Sequence, residues 1–148
     1  MRIAVGSDHA GFESPEPFYK PSIVAHLELR GCMVTDCGTS GPDAVDYPDV
    51  AQRVCQEILE GRAERGVLIC GTGIGMSISA NRHHGIRAAV CTTAEMARLT
   101  RLHNDANVLC LGRRVSDLET CFLLVDVWME TAFSGEARHV GRLRKMDK

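Results

Sequence analysis

Residues 68–77 read LICGTGIGMS: an apolar run ends in Cys70 and three glycines follow in five residues. A cysteine where a buried strand opens into a glycine loop can be a nucleophile or a general base. Nearby N–H dipoles stabilise a thiolate there. Position alone fits a buried core cysteine equally well. The glycine loop, GTGIG, lacks both the G-x-G-x-x-G spacing of a dinucleotide site and the Lys-Ser/Thr pair of a Walker loop. Successive backbone N–H groups ahead of a helix still form a nest for a phosphate or a developing oxyanion. Four other stretches carry chemistry-bearing residues: Asp8 and His9 in SDHAG, His103, Asn104 and Asn107 in HNDAN, Arg114 in LGRRV, and Arg138 and Arg142 in ARHVGR. A histidine in a cleft moves protons or binds an anion. Arginines spaced i, i+4 share a helix face and suit a phosphate dianion. Each also has a simpler structural use: Asp8 as a helix cap, His103 as a helix C-terminal cap, the tail arginines as a solvated basic face.

The elements that must hold these residues are short apolar strands alternating with helical periodicity. RIAV, CMVTD, GVLIC, IRAAVC and NVLCLG read as strands. Between them, a helix is expected from near Pro21 through Arg30 with Gly31 as its stop. A second runs from Tyr47 or Pro48 to Glu60, with Val50, Ala51, Val54 and Ile58 on one face. A short one ends at Asn81, another is capped by Thr92 or Thr93, and a long one covers DLETCFLLVDVWMETAF. The prolines Pro15, Pro17 and Pro21 keep the stretch after GF out of a helix interior. The pattern predicts one α/β domain, a doubly wound, Rossmann-like parallel sheet of order 2-1-3-4-5 flanked by helices. Ligands of such folds lie beyond the carboxyl ends of the strands. Strands one and three are neighbours in that order, which brings Asp8 and His9 close to Cys70. His103 precedes strand five, on the opposite edge of the sheet from Cys70, so a neighbouring subunit is better placed to deliver it.

Composition narrows the function. The 148 residues are 45% hydrophobic and 24% charged, with a formal net charge of −2 and few aromatics. Neither a nucleic-acid surface nor a membrane partner is indicated. No run approaches the ~18 apolar residues of a membrane span, and the N-terminus matches neither a signal nor a transit peptide, so a cytoplasmic protein is expected. Seven cysteines, an odd number with no C-x-x-C pair, argue against a disulfide framework or a zinc site.

Taken together and in order, GSDHAGF, DYPD, LICGTGIGMSISAN, GIRAAVC, HNDANVL, LGRRV and ARHVGR resemble the ribose-5-phosphate isomerase B family, which includes galactose-6-phosphate isomerase subunits. The resemblance covers nearly the whole chain. It implies a single sugar-phosphate isomerase domain over 1–148, whose basic tail from about 134 onward reaches a partner subunit. It further implies a homodimer with shared active sites (a tetramer remaining open) and isomerisation without metal or cofactor. By position Cys70 matches the general base of the cysteine-type branch. The other branch uses a glutamate where this chain has Met76. His103 matches the ring-opening acid. Asp8, His9, Tyr47, Gly71, Thr72, Gly73, Ile74, Gly75 and Asn104 match the substrate-binding set, and Arg114, Arg138 and Arg142 the phosphate-binding set.

The implied reaction is ribose 5-phosphate to ribulose 5-phosphate through a cis-enediolate. Cys70 would carry the proton from C2 to C1, and the glycine loop, with the Thr72 hydroxyl, would stabilise the oxyanion. A six-carbon sugar phosphate, such as allose or galactose 6-phosphate, and an unphosphorylated aldose are alternatives; three retained arginines favour a phosphate. A non-catalytic sugar-phosphate-binding module and a redox protein using Cys70 are further alternatives. Four features depart from the family pattern. GFESPEPFYKPSIVAHL is longer and richer in proline, Arg113 stands beside the expected arginine, Ser79 stands where an alanine is usual, and NRHHG adds two histidines.

Overall fold

The computed structural model describes residues 1–147. Five strands alternate with six helices: β1 (Arg2–Ser7), α1 (Tyr19–Leu29), β2 (Met33–Asp36), α2 (Tyr47–Leu59), β3 (Arg65–Cys70), α3 (Ile74–Ala80), β4 (Ala88–Val90), α4 (Ala94–Asn104), β5 (Val108–Gly112), α5 (Leu118–Glu130) and α6 (Ala137–Met146). All strand pairs are parallel. Parallel neighbours need crossovers, and the helices supply them on both faces. No helix is long and apolar enough to cross a membrane among the described residues.

Side chains alternate between two cores with the period of two that a strand imposes. Ile3, Val5, Val67, Ile69, Leu109 and Leu111 pack beneath α1, α4 and α5 with Ile23, Leu27, Leu124 and Trp128. Ala4, Leu68, Cys70, Val108 and Cys110 face α2 and α3, meeting Val50, Val54, Met76 and Ala80. Burying a side chain such as Leu124 or Ile69 contributes roughly 1.5–3 kcal/mol. The strands that carry the candidate site are therefore clamped from both sides.

The observed strand order is β2-β1-β3-β5-β4, which corrects the expected 2-1-3-4-5. The reason is burial. VLCLG of β5 is buried at every position, whereas β4 is three residues long and only half-buried throughout. A fully apolar run belongs in the centre of the sheet, and a short one is best tolerated at the edge. The swap places Gly112 opposite Cys70, so the turn after β5 lies against the glycine loop.

Two helix boundaries also move. Helix α1 begins at Tyr19, two residues before Pro21. Pro21 still falls in the first turn, where its missing N–H costs nothing. Helix α5 stops at Glu130, short of Phe133, with the Thr131 hydroxyl donating to the Val127 carbonyl. Thr93 is the cap of α4, accepting from the Met96 N–H.

Candidate active site

The carboxyl ends of β1, β3 and β5 converge. Ser7 pairs with Ile69, and the Asp8 N–H continues that ladder to the Ile69 carbonyl at 3.2 Å. Asp8 is buried, and its carboxylate accepts the Ala10 N–H at 2.9 Å, starting a short 3-10 turn, His9–Phe12. Burial raises the Asp8 carboxyl above its ordinary range, opposed by the Ala10 N–H and by the charges of His9 and Arg114. His9 Nδ1 is buried without a hydrogen-bond partner.

The raised Asp8 carboxyl makes a stability prediction. Between 3.8 and its raised value, the folded chain keeps a proton that the unfolded chain releases, so stability falls as pH rises through that window. Asp8→Asn keeps an acceptor for Ala10 and removes the charge. Its melting temperature is expected to exceed wild type at pH 7 and to match it near pH 3. A variant less stable at pH 7 would show that the pull of His9 and Arg114 outweighs burial.

Cys70 ends β3 facing α2 and α3, 5% exposed, and its Sγ accepts the Gly73 N–H at 3.1 Å. Gly73 makes this contact from φ +80°, a left-handed conformation that side-chain-bearing residues rarely adopt. Thr72 is exposed, and its Oγ1 accepts the Ile74 N–H at 3.3 Å, leaving its O–H to donate outward. Ile74 is exposed, and the Tyr47 ring lies against Gly75, where a β-carbon would come within 2.8 Å of it. Gly71 lies beneath Arg114: a β-carbon on Gly71 would be 3.1 Å from Nη1. Backbone bonds from Arg113 N–H to the Cys70 carbonyl and from Arg114 N–H to the Gly71 carbonyl, both 2.9 Å, tie that turn to the loop. Met76 is fully buried in the apolar core, and its thioether is no proton acceptor.

Burial raises other thiols: Cys37 and Cys91 to about 11, Cys55 and Cys121 to about 12, and Cys110 well above its ordinary value. Cys55, Cys91, Cys110 and Cys121 are core residues, and Cys37 is half-buried at the edge of the core.

One chain does not gather the remaining predicted residues. His103 and Asn104 end α4, which leads into the start of β5. That start pairs with Gly66, whereas Cys70 pairs with Gly112 four residues on, about 13 Å further at ~3.3 Å per residue. His103 instead stacks on His139 of α6, ring centroids 4.4 Å apart and planes 14° from parallel. Arg138 and Arg142 are exposed on that same helix, while His139 and Leu143 are buried. A cleft of about 650 Å³ opens along β4, lined by Asn81, His83, His84, Arg87, Asn104 and Met146 among others. The predicted residues thus fall into two separate groups, one at the carboxyl ends of the strands and one on α4 and α6.

Two residues beside these groups carry no signal of their own in the sequence. His139 sits in ARHVGR between the two arginines. Burial, then His103, then Arg138 hold its imidazole below the ordinary range. Glu13 pairs with Arg114 at 3.0 Å and lies in the proline-rich stretch that reads simply as loop. The Arg114 guanidinium holds the Glu13 carboxyl below its usual range.

Known proteins share both fold and sequence with this chain. The profile of the Ribose/Galactose Isomerase family matches residues 3–146. Ribose-5-phosphate isomerase B of Escherichia coli K12 is 45% identical over 142 residues, 96% of this chain and 91% of that protein. D-erythrulose-4-phosphate isomerase 2 of Mycolicibacterium smegmatis is 36% identical, covering 97% and 93%. The structure of Clostridium thermocellum ribose-5-phosphate isomerase B superposes with a TM-score of 0.93 at 46% identity, covering 99% and 95%. With a full-length family match, a shared fold and Cys70 at the mouth of the glycine loop, the chain belongs to the ribose/galactose isomerase family and is an aldose–ketose isomerase of the ribose-5-phosphate isomerase B type.

Proposed function

We propose that the chain interconverts D-ribose 5-phosphate and D-ribulose 5-phosphate in the cytoplasm, without a metal, at sites shared between two copies of itself. The observation that carries the proposal is the Gly73 N–H on the Cys70 sulfur, at the carboxyl end of β3. The N–H fixes the sulfur at the mouth of the glycine loop, and a cysteine held there is the base the reaction needs.

Ribose 5-phosphate is mostly a closed ring, and His103 protonates the ring oxygen as the C1–O bond breaks and the C1 hydroxyl releases its proton to solvent. The Cys70 thiolate then takes the proton from C2. The C2–H electrons form the C1=C2 bond, and those of the carbonyl move onto O1. The Thr72 hydroxyl and the loop N–H groups stabilise this cis-enediolate. The proton on O2 passes to O1, and the thiol returns its proton to C1 as the C2 carbonyl forms, leaving ribulose 5-phosphate and the thiolate. Asp8, His9, Tyr47, Asn104 and residues 71–75 hold the sugar. Arg114, Arg138 and Arg142 hold the phosphate and convert its binding energy into orientation. The unpartnered Nδ1 of His9 supports a ligand contact there.

The two groups support the shared site: Cys70 of one copy is completed by His103, Asn104, Arg138 and Arg142 of the other, with the tail from 134 onward reaching across. Comparing kcat/KM for ribose 5-phosphate, erythrose 4-phosphate, allose 6-phosphate and unphosphorylated ribose tests the substrate. Ribose 5-phosphate is expected to rank first, and unphosphorylated ribose lowest by a factor on the order of 10² or more. A preference for another phosphate chain length would overturn the ribose assignment, and a preference for ribose itself the phosphate assignment.

A further inference from the structure

The proline-rich segment that departs from the family pattern begins as a loop, residues 13–18, that is bonded to the turn that carries Arg114. Arg113, the arginine outside that pattern, donates through Nη2 to the carbonyls of Glu13 and Pro15 at 3.4 and 3.3 Å. Its guanidinium also lies 4.4 Å from the centre of the Tyr19 ring. The Tyr19 hydroxyl donates to the Ser116 carbonyl at 2.9 Å, closing the other end of the same turn. Between these anchors the Glu13 carboxylate accepts from Arg114 Nε at 3.0 Å and from Nη2 at 3.0 Å. That is one whole edge of the guanidinium. The remaining nitrogen, Nη1, is the one over Gly71.

The pair contributes little to folding. Arg114 is 58% exposed, and an exposed ion pair is worth ~0–1 kcal/mol. Its consequence is geometric. An unheld arginine at a cleft mouth samples many rotamers, and a ligand must freeze them on binding. A carboxylate on the Nε/Nη2 edge freezes them beforehand and turns Nη1 toward the glycine loop.

We propose that Glu13 is a positioning residue for Arg114: it holds the guanidinium over Gly71, so that Nη1 meets the anionic sugar phosphate with its side chain already ordered. This rests on the proposal that the site takes a sugar phosphate. A competing effect has the opposite sign, because the Glu13 charge repels a phosphate. That repulsion acts across an exposed, salt-screened mouth and is the smaller of the two.

The test measures binding and turnover together, in Glu13→Gln and Glu13→Asp of the full chain. The dissociation constant for ribose 5-phosphate is read by calorimetry, and kcat and KM by steady-state assay. Glu13→Gln is expected to weaken binding and raise KM about tenfold, with kcat changed much less and the melting temperature unchanged. Glu13→Asp, which keeps the charge, recovers most of the loss. Unchanged or tighter binding in Glu13→Gln overturns the proposal, as does an affinity loss that Glu13→Asp fails to recover. Wild type that binds ribose 5-phosphate without turning it over would defeat the isomerase assignment and leave the proposal to the calorimetric comparison. Wild type that binds no ribose 5-phosphate would overturn both.

Discussion

Cys70→Ala is expected to lower kcat for ribose 5-phosphate by a factor on the order of 10³–10⁴, the upper part of what a positioned general base supplies. Binding should survive, because the residues assigned to phosphate lie on other elements. Cys70 is packed against Met76 and its neighbours, so alanine leaves a small cavity at the end of β3. A stability loss is therefore expected as well, and a dissociation constant near wild type separates lost chemistry from lost fold. The buried Gly73 N–H loses its acceptor in the variant, which adds to that stability loss. Turnover within tenfold of wild type would remove Cys70 from the role of base.

His103→Asn has a different signature. Its expected loss with ribose 5-phosphate is on the order of 10²–10³, because the ring must open before C2 becomes acidic. Ribulose 5-phosphate makes the contrast. Its O5 is blocked by phosphate, so no ring of ordinary size closes onto C2 and no opening step is needed. In D2O, exchange at C1 of ribulose 5-phosphate should therefore run near the wild-type rate in His103→Asn, while Cys70→Ala abolishes it. Equal losses of exchange and of forward turnover in His103→Asn would count against ring opening as its role. His139 complicates the surface but not the inference. It stacks on His103 and is buried, so asparagine at 103 exposes one of its faces without disturbing the sheet.

Much of this site was legible because its residues sit where strands end. GVLIC announces a buried strand and GTGIG a forced turn, so Cys70 could be placed at a sheet terminus from sequence alone. Asp8 fell beside it for the same reason, since the β1–β3 pairing was expected and is observed. The order of β4 and β5 was not legible by counting along the chain. It follows from composition, because VLCLG is apolar at every position while RAAV begins with a charge. Glu13 was hidden because prolines mark a loop without saying what the loop is tied to. The tie is made by Arg113, whose partners Glu13 and Pro15 lie 100 and 98 residues away in sequence. The group on α4 and α6 was legible as residue types but not as geometry, since i, i+4 spacing fixes a helix face and not what that face meets.

The central claim is that the base of one chain works with the ring-opening acid of another. Co-refolding equal amounts of Cys70→Ala and His103→Asn tests it most directly, with ribose 5-phosphate as substrate. Each variant alone is nearly inactive. If half of the dimers formed are mixed, each mixed dimer holds one site with an intact Cys70 and His103, and the mixture recovers about a quarter of wild-type activity. A mixture no more active than the sum of its parts would contradict the shared site.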